Sequence, residues 1–155
     1  MGAEHGIPGF AATSAGTRAV IGHQMHTEAA LVLESLGGDS SGFVARQLTP
    51  QIAAGADLVI AMTTTHRNDV LELAPRQLRR TFTLTEASML ASEHDTSTVA
   101  DLAALRPRLA GRSVDDIPDP IGRDAQYFAE IGARIAVLLP PIIELCRRSV
   151  TSPSA

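Results

Sequence analysis

The chain has 155 residues, 45% of them apolar and 19% charged, with a formal net charge of −4. This fits one globular domain, 1–155, with its own core, and it excludes a disordered chain. The acidic balance argues against a nucleic-acid partner, because phosphate binding wants a basic face.

The arginines nonetheless gather at Arg76-Arg79-Arg80 and at Arg106-Arg108-Arg112, and both groups read as solvated faces. A single cysteine, Cys146, excludes an internal disulfide and is ordinary for a cytoplasmic protein, the location expected here. No apolar run reaches the roughly 18 residues of a membrane span. The opening MGAEHGIPGF shows no secretory pattern, and no membrane association is expected.

In chain order, Gly9–Ser14 reads as a short strand ending at the turn Ala15-Gly16. Met25, Ala29, Val32, Leu33 and Leu36 recur at helical spacing, with Gly37-Gly38 as the stop. Thr49-Pro50 starts a short helix, a capping hydroxyl followed by proline at the first helical position. Asp57–Met62 is a continuous apolar run after its first residue, as in a strand covered on both faces of a parallel sheet.

Thr63-Thr64-Thr65 offers capping hydroxyls to a helix over roughly 66–73, which Pro75 closes. Arg80–Leu84 reads as a further strand, and Thr85-Glu86 opens another helix. Thr98 and Asp101 resemble a capping box ahead of Leu102 and Leu105. The prolines of Asp115–Pro120 exclude helix there. Phe128, Ile131, Ile135, Leu138 and Leu139 then mark an amphipathic helix, which Pro140-Pro141 should kink or break. Residues 1–8 and 149–155 are expected to be flexible ends. The alternation predicts an α/β fold, a three-layer arrangement of parallel sheet flanked by helices.

Four segments in order resemble the low-molecular-weight phosphotyrosine phosphatase family and its arsenate-reductase-type relatives. They are Ser14-Ala15-Gly16-Thr17 with Gly22, Asp57–Thr63 with His66-Arg67, Arg79–Glu86 (a run of the bacterial branch), and Asp116-Ile117-Pro118-Asp119-Pro120. The resemblance implies a phosphate loop, Cys-x5-Arg-Ser/Thr, directly after a first strand. Backbone amides of such a loop form an anion nest, its arginine clamps phosphoryl oxygens, and the field lowers the thiol pKa. Only thirteen residues precede Ser14, and none is cysteine or arginine. The first strand and its loop are therefore expected to be missing. Cys146 does not replace them, because the matching arginine position is Ser152.

By the same resemblance, Asp119 corresponds to the general acid that protonates the leaving oxygen, now vestigial. Its plainer reading is a loop aspartate stabilising its own turn. Ser14 and His66 correspond to residues supporting the phosphate loop from behind, although His66 equally suits a helix's first turn. The family's aromatic residue after Asp-Pro is absent, with Ile121 and Gly122 in its place. Phosphate-type ligands are accordingly not favoured. His23 and His26 are three apart, but no ligand set completes around them, so no metal is expected. No glycine-rich nucleotide fingerprint occurs, and no cofactor is expected.

Three functions stay open on this sequence: a non-catalytic binding or scaffold member of the family, a genuine phosphatase represented by an N-terminally truncated chain, and an enzyme with new chemistry using Asp119 and His66. A sheet without its first strand has unpaired edges. A homodimer or a partner protein is therefore expected to complete it, ahead of direct pairing between Gly9–Ser14 and Asp57–Met62 or filling by Glu4–Pro8.

Overall fold

The computed structural model describes residues 6–151. Its helices are α1 (Thr27–Ser35), α2 (Pro50–Ala54), α3 (Thr64–Leu73), α4 (Leu84–Glu93), α5 (Val99–Leu105) and α6 (Ala125–Thr151). Strands β1 (Val59–Ala61) and β2 (Thr81–Thr83) pair in parallel, Val59 opposite Thr81 and Ala61 opposite Thr83. A right-handed crossover is the expected way to join such strands, and α3 with a 3-10 turn over Pro75–Arg80 makes the connection.

Side chains of β1 alternate between two apolar clusters. Leu58, Ile60 and Met62 pack against a large cluster built on Phe82, Leu84, Leu90, Leu102, Ile117, Ile131, Ile142 and Leu145. Val59 packs on the opposite side against a small one of Ala53, Val70 and Ala74. Helices α2 and α3 thus cover one face of the sheet, and α4 and α6 cover the other. The three layers read from the sequence are present, with a sheet of two strands. Complete burial of each large side chain in the main cluster contributes on the order of 1.5–3 kcal/mol.

Local chemistry sets most boundaries. Thr49, Thr63, Thr83 and Thr98 each cap a helix by accepting an amide hydrogen three residues on. In α4 and α5 the caps are reciprocal boxes with Glu86 and Asp101. Glu86 also pairs with Arg67, tying α3 to α4. Helix α1 stops at a Schellman motif, in which Gly38 N–H donates to Leu33 C=O at 2.9 Å and Gly37 N–H to Glu34 C=O at 3.0 Å. Gly37 has φ +83°, a conformation that glycine adopts without strain. Helix α2 ends on Gln77, whose Nε2 donates to the carbonyls of Ala53, Ala54 and Ala56 at 3.0, 2.8 and 3.3 Å.

The structure corrects three expectations. Gly9–Ser14 is not a strand and does not pair with β1. The chain instead meets residues 45–48 beyond it, through a single bridge at Gly16 and Gln47 and hydrogen bonds from Gly22 N–H to Ala45 C=O and from Ala45 N–H to His23 C=O. An extended segment becomes a strand only with a ladder partner, and here the backbone pairing begins past it, at Gly16, with the Arg46 side chain taking the Ser14 carbonyl. Second, Pro140 and Pro141 do not break α6, which runs as one helix through Thr151. Pro140 lies on the solvent side, where water can take freed carbonyls. The opposite face keeps both halves docked through Ile131, Ile142 and Leu145. Ser149, expected to fray, donates to Ser97 C=O at 2.8 Å. The rest of that expected tail, 152–155, lies outside the described residues, as do residues 1–5.

Third, Arg106 is not simply solvated, whereas Arg112 stays on an exposed face as read. The Arg106 guanidinium lies 4.0 Å over the Phe82 ring and donates to the carbonyls of Leu78 and Thr81. Burial lowers its pKa, with Glu86 acting in the opposite direction. Arg112 grips Glu93 through both terminal nitrogens. Among the described residues, no helix is long and apolar enough to cross a membrane.

Candidate functional site

Parallel strands direct their carboxyl ends toward the place where α/β folds bind ligands. At the end of β1 a cavity of about 400 Å³ opens between α1, α6 and the loop 117–120. Helix α1 contributes Val32, Leu33 and Leu36, and α6 contributes Phe128, Ile131 and Ile135. The polar side chains in its wall are Thr63, His66 and Asp119. No arginine, lysine or cysteine lines it.

His66 stands in the first turn of α3, where its N–H donates to the Thr63 hydroxyl at 3.1 Å. Its imidazole has no hydrogen bond among the described residues and faces the cavity half-buried. Asp119 arrives on a loop fastened at three points. Ile117 N–H donates to Met62 C=O at 2.9 Å. The Thr85 hydroxyl donates to Asp115 C=O at 2.7 Å. Asp116 Oδ1 accepts from both the N–H and the hydroxyl of Thr64. Asp119 itself is exposed, and its Oδ1 accepts the Ile121 N–H at 3.0 Å, closing its own turn.

The structure thus brings Asp119 and His66 to one cavity and leaves Ser14 outside it. Ser14 is exposed, and its carbonyl accepts from Arg46 Nε at 2.7 Å. Cys146 lies on α6 beyond the cavity wall, and burial pushes its thiol pKa up, away from the thiolate. The neighbouring Arg147 and Arg148 are held by Glu144 and Asp95. Of the paired histidines, His26 stacks on Phe128 with centroids 4.9 Å apart, and its Nδ1 accepts the Glu28 N–H. Among the described residues no group of three or more His, Cys, Asp or Glu is placed to hold a metal.

Sequence reasoning missed the apolar wall. Ile121 and Gly122 are absent from the cavity, and its aromatic surface comes from Phe128. The signal was the helical spacing of Val32 and Leu36 on one element and Ile131 and Ile135 on another. Periodicity marks an inward face without telling which inward faces leave space between them.

Comparison with known proteins adds to this geometry. Residues 1–101 match a family model described as low molecular weight phosphotyrosine protein phosphatase. That match ends before the Asp119 loop. No curated protein matches the chain. Among solved structures, the YwlE arginine phosphatase from Geobacillus stearothermophilus is 22% identical with a TM-score of 0.69, covering 92% of this chain and 77% of that one. A low molecular weight protein tyrosine phosphatase from T. tengcongensis is 25% identical with a TM-score of 0.63, covering 85% and 75%. Vibrio vulnificus Wzb in complex with benzylphosphonate is 19% identical with a TM-score of 0.64, covering 90% and 81%.

Proposed function

Since the chain belongs to the low molecular weight phosphotyrosine protein phosphatase family, we propose that it uses that fold as a non-catalytic binding or scaffold protein. One observation carries this reading. The cavity that holds His66 and Asp119 has neither a thiol nor a guanidinium in its wall. Phosphoryl transfer in such a site needs a nucleophile and cationic or amide stabilisation of the developing charge. An acid at Asp119 assists the departure of a leaving group, a step that exists only after attack.

The test is turnover of p-nitrophenyl phosphate and of a phosphotyrosine peptide by the purified 155-residue chain, together with Cys146→Ser and Asp119→Asn. The expected result is no turnover above the uncatalysed rate and unchanged melting of Cys146→Ser. Steady turnover that survives Cys146→Ser and disappears in Asp119→Asn would overturn the proposal and reveal another nucleophile.

A second reading draws support from the part of the relatives' length that the chain leaves unmatched. In it, the same domain is the body of an active phosphatase whose Cys-x5-Arg loop is encoded ahead of Met1. An in-frame Val-Cys-x5-Arg-Ser in the upstream DNA would establish that reading.

A further inference from the structure

The wall of the cavity between α1 and α6 includes one carboxylate, Asp119, and no arginine or lysine. Asp119 Oδ1 serves its own turn by accepting the Ile121 N–H, and Oδ2 makes no hydrogen bond among the described residues. The half-buried imidazole of His66 and the hydroxyl of Thr63 complete the polar part of the wall.

A helix N-terminus attracts anions through amides left unpaired. At α3 that role is taken from within the chain. Asp116 Oδ1 accepts the Thr64 N–H, and the Thr63 hydroxyl accepts the His66 N–H. An external anion would meet the Asp119 carboxylate in the wall and the Asp116 carboxylate at Thr64, with no guanidinium or ammonium to offset them.

The same groups suit a cation. A carboxylate oxygen, the lone pair of a neutral imidazole and a hydroxyl oxygen are all acceptors, and an ammonium group carries three donors. The rest of the wall is aliphatic and aromatic, with the Phe128 ring stacked on His26. A volume of about 400 Å³ falls within the range of small-molecule sites. It admits one small apolar body.

Resting on the binding-protein reading and naming its ligand, we infer that the cavity takes a small amphipathic amine. The aryl or alkyl body lies between α1 and α6, and the ammonium group sits against Asp119 and His66. Apolar burial supplies affinity, and the carboxylate selects the charge.

The test titrates the full chain with three probes that share one body: phenylbutylamine, phenylbutanol and phenylbutyrate. The amine is expected to bind with a Kd on the order of 1 mM, shifting the amide resonances of Thr63, Ile131 and Ile135. At low salt it should bind about threefold more tightly than the alcohol and about tenfold more tightly than the carboxylate. Sodium chloride at about 0.5 M should erase most of that preference. Asp119→Asn keeps an oxygen for the Ile121 N–H and should make the amine and the alcohol bind alike. Ala29→Leu, which enlarges a wall residue of α1, should weaken all three probes together.

Tightest binding by the carboxylate, an amine preference that survives Asp119→Asn, or no shift of those amides at millimolar probe would each overturn the inference. So would binding indifferent to Ala29→Leu in a variant that melts like the parent chain; where that variant fails to fold, Asp119→Asn on its exposed loop decides. Turnover of p-nitrophenyl phosphate would sink the non-catalytic reading, whereas lost amine selectivity without turnover would sink the ligand class alone.

Discussion

Thr64 and Asp116 are 52 positions apart, yet Asp116 Oδ1 accepts both the N–H of Thr64 at 2.8 Å and its hydroxyl at 3.0 Å. One carboxylate oxygen thereby serves the first turn of α3 and anchors the loop that carries Asp119. A negative charge at a helix N-terminus adds to the effect. Asp116→Ala should cost about 1 kcal/mol in urea unfolding and speed amide exchange at Ile117. Asp116→Asn keeps an acceptor and should recover most of the loss. Equal losses in the two variants would show that charge, not hydrogen bonding, holds the loop.

Gly132 sets how closely α1 approaches α6. A Cβ built at Gly132 overlaps Val32 Cγ1. Gly132→Ala should therefore destabilise the protein by about 1–3 kcal/mol through overpacking, outweighing alanine's better helix propensity of about 1 kcal/mol. Val32→Ala removes the clashing methyl, so the double variant should be more stable than Gly132→Ala alone. Strict additivity in that cycle would contradict the close approach.

Arg106 holds β2 from both sides of its charge, through the Phe82 face and through two carbonyls. Arg106→Ala should cost about 2 kcal/mol. Lysine lacks the planar fork and should restore less than half of the loss. Denaturant midpoints at constant slope measure both. A restoration to wild-type stability by lysine would reduce the role of Arg106 to point charge.

Acid should weaken the α5 cap. The amides of Ser97 and Thr98 hold the Asp101 carboxyl below its ordinary value, against a smaller desolvation effect. A carboxyl depressed in the folded state contributes stability above its unfolded value of about 3.9, and that contribution is lost as pH falls through the folded value. Arg112 lowers Glu93 in the same direction. Stability should therefore decline below about pH 4, with a shallower decline in Asp101→Asn. Urea midpoints between neutral pH and acid read this slope directly, and an unchanged slope in the variant would assign acid sensitivity elsewhere.

Elements that carry their own instructions were legible in the sequence. The run Asp57–Met62 read as a strand covered on both faces, and Thr98 with Asp101 marked the start of α5 to the residue. Helix α4, by contrast, begins at Leu84 under a Thr83 cap, ahead of the Thr85-Glu86 start read from the sequence. Gly9–Ser14 misled because strand propensity is an offer that a partner must accept, and the backbone contacts with residues 45–48 begin only at Gly16. Pro140-Pro141 misled for the opposite reason. Contacts of Ile131 and Ile142 outweigh two missing backbone hydrogen bonds, and such contacts appear only after folding. At the candidate site, His66 and Asp119, singled out through their motifs, both line the cavity. The Thr64–Asp116 clasp and the apolar wall are long-range relations without a local signature.

Gln77 offers a view of how the molecule comes apart. A five-residue helix such as α2 does not persist alone, because nucleation costs more than so few hydrogen bonds return. Its C-terminal carbonyls are instead tied to an amide on the approach to β2. Helix α2 should then lose protection together with the Pro75–Arg80 turn, as one cooperative unit of opening. Pulling the chain from its N-terminus should release the arm of residues 16–48 first and meet resistance only where Gln77 binds α2 to the body of the sheet.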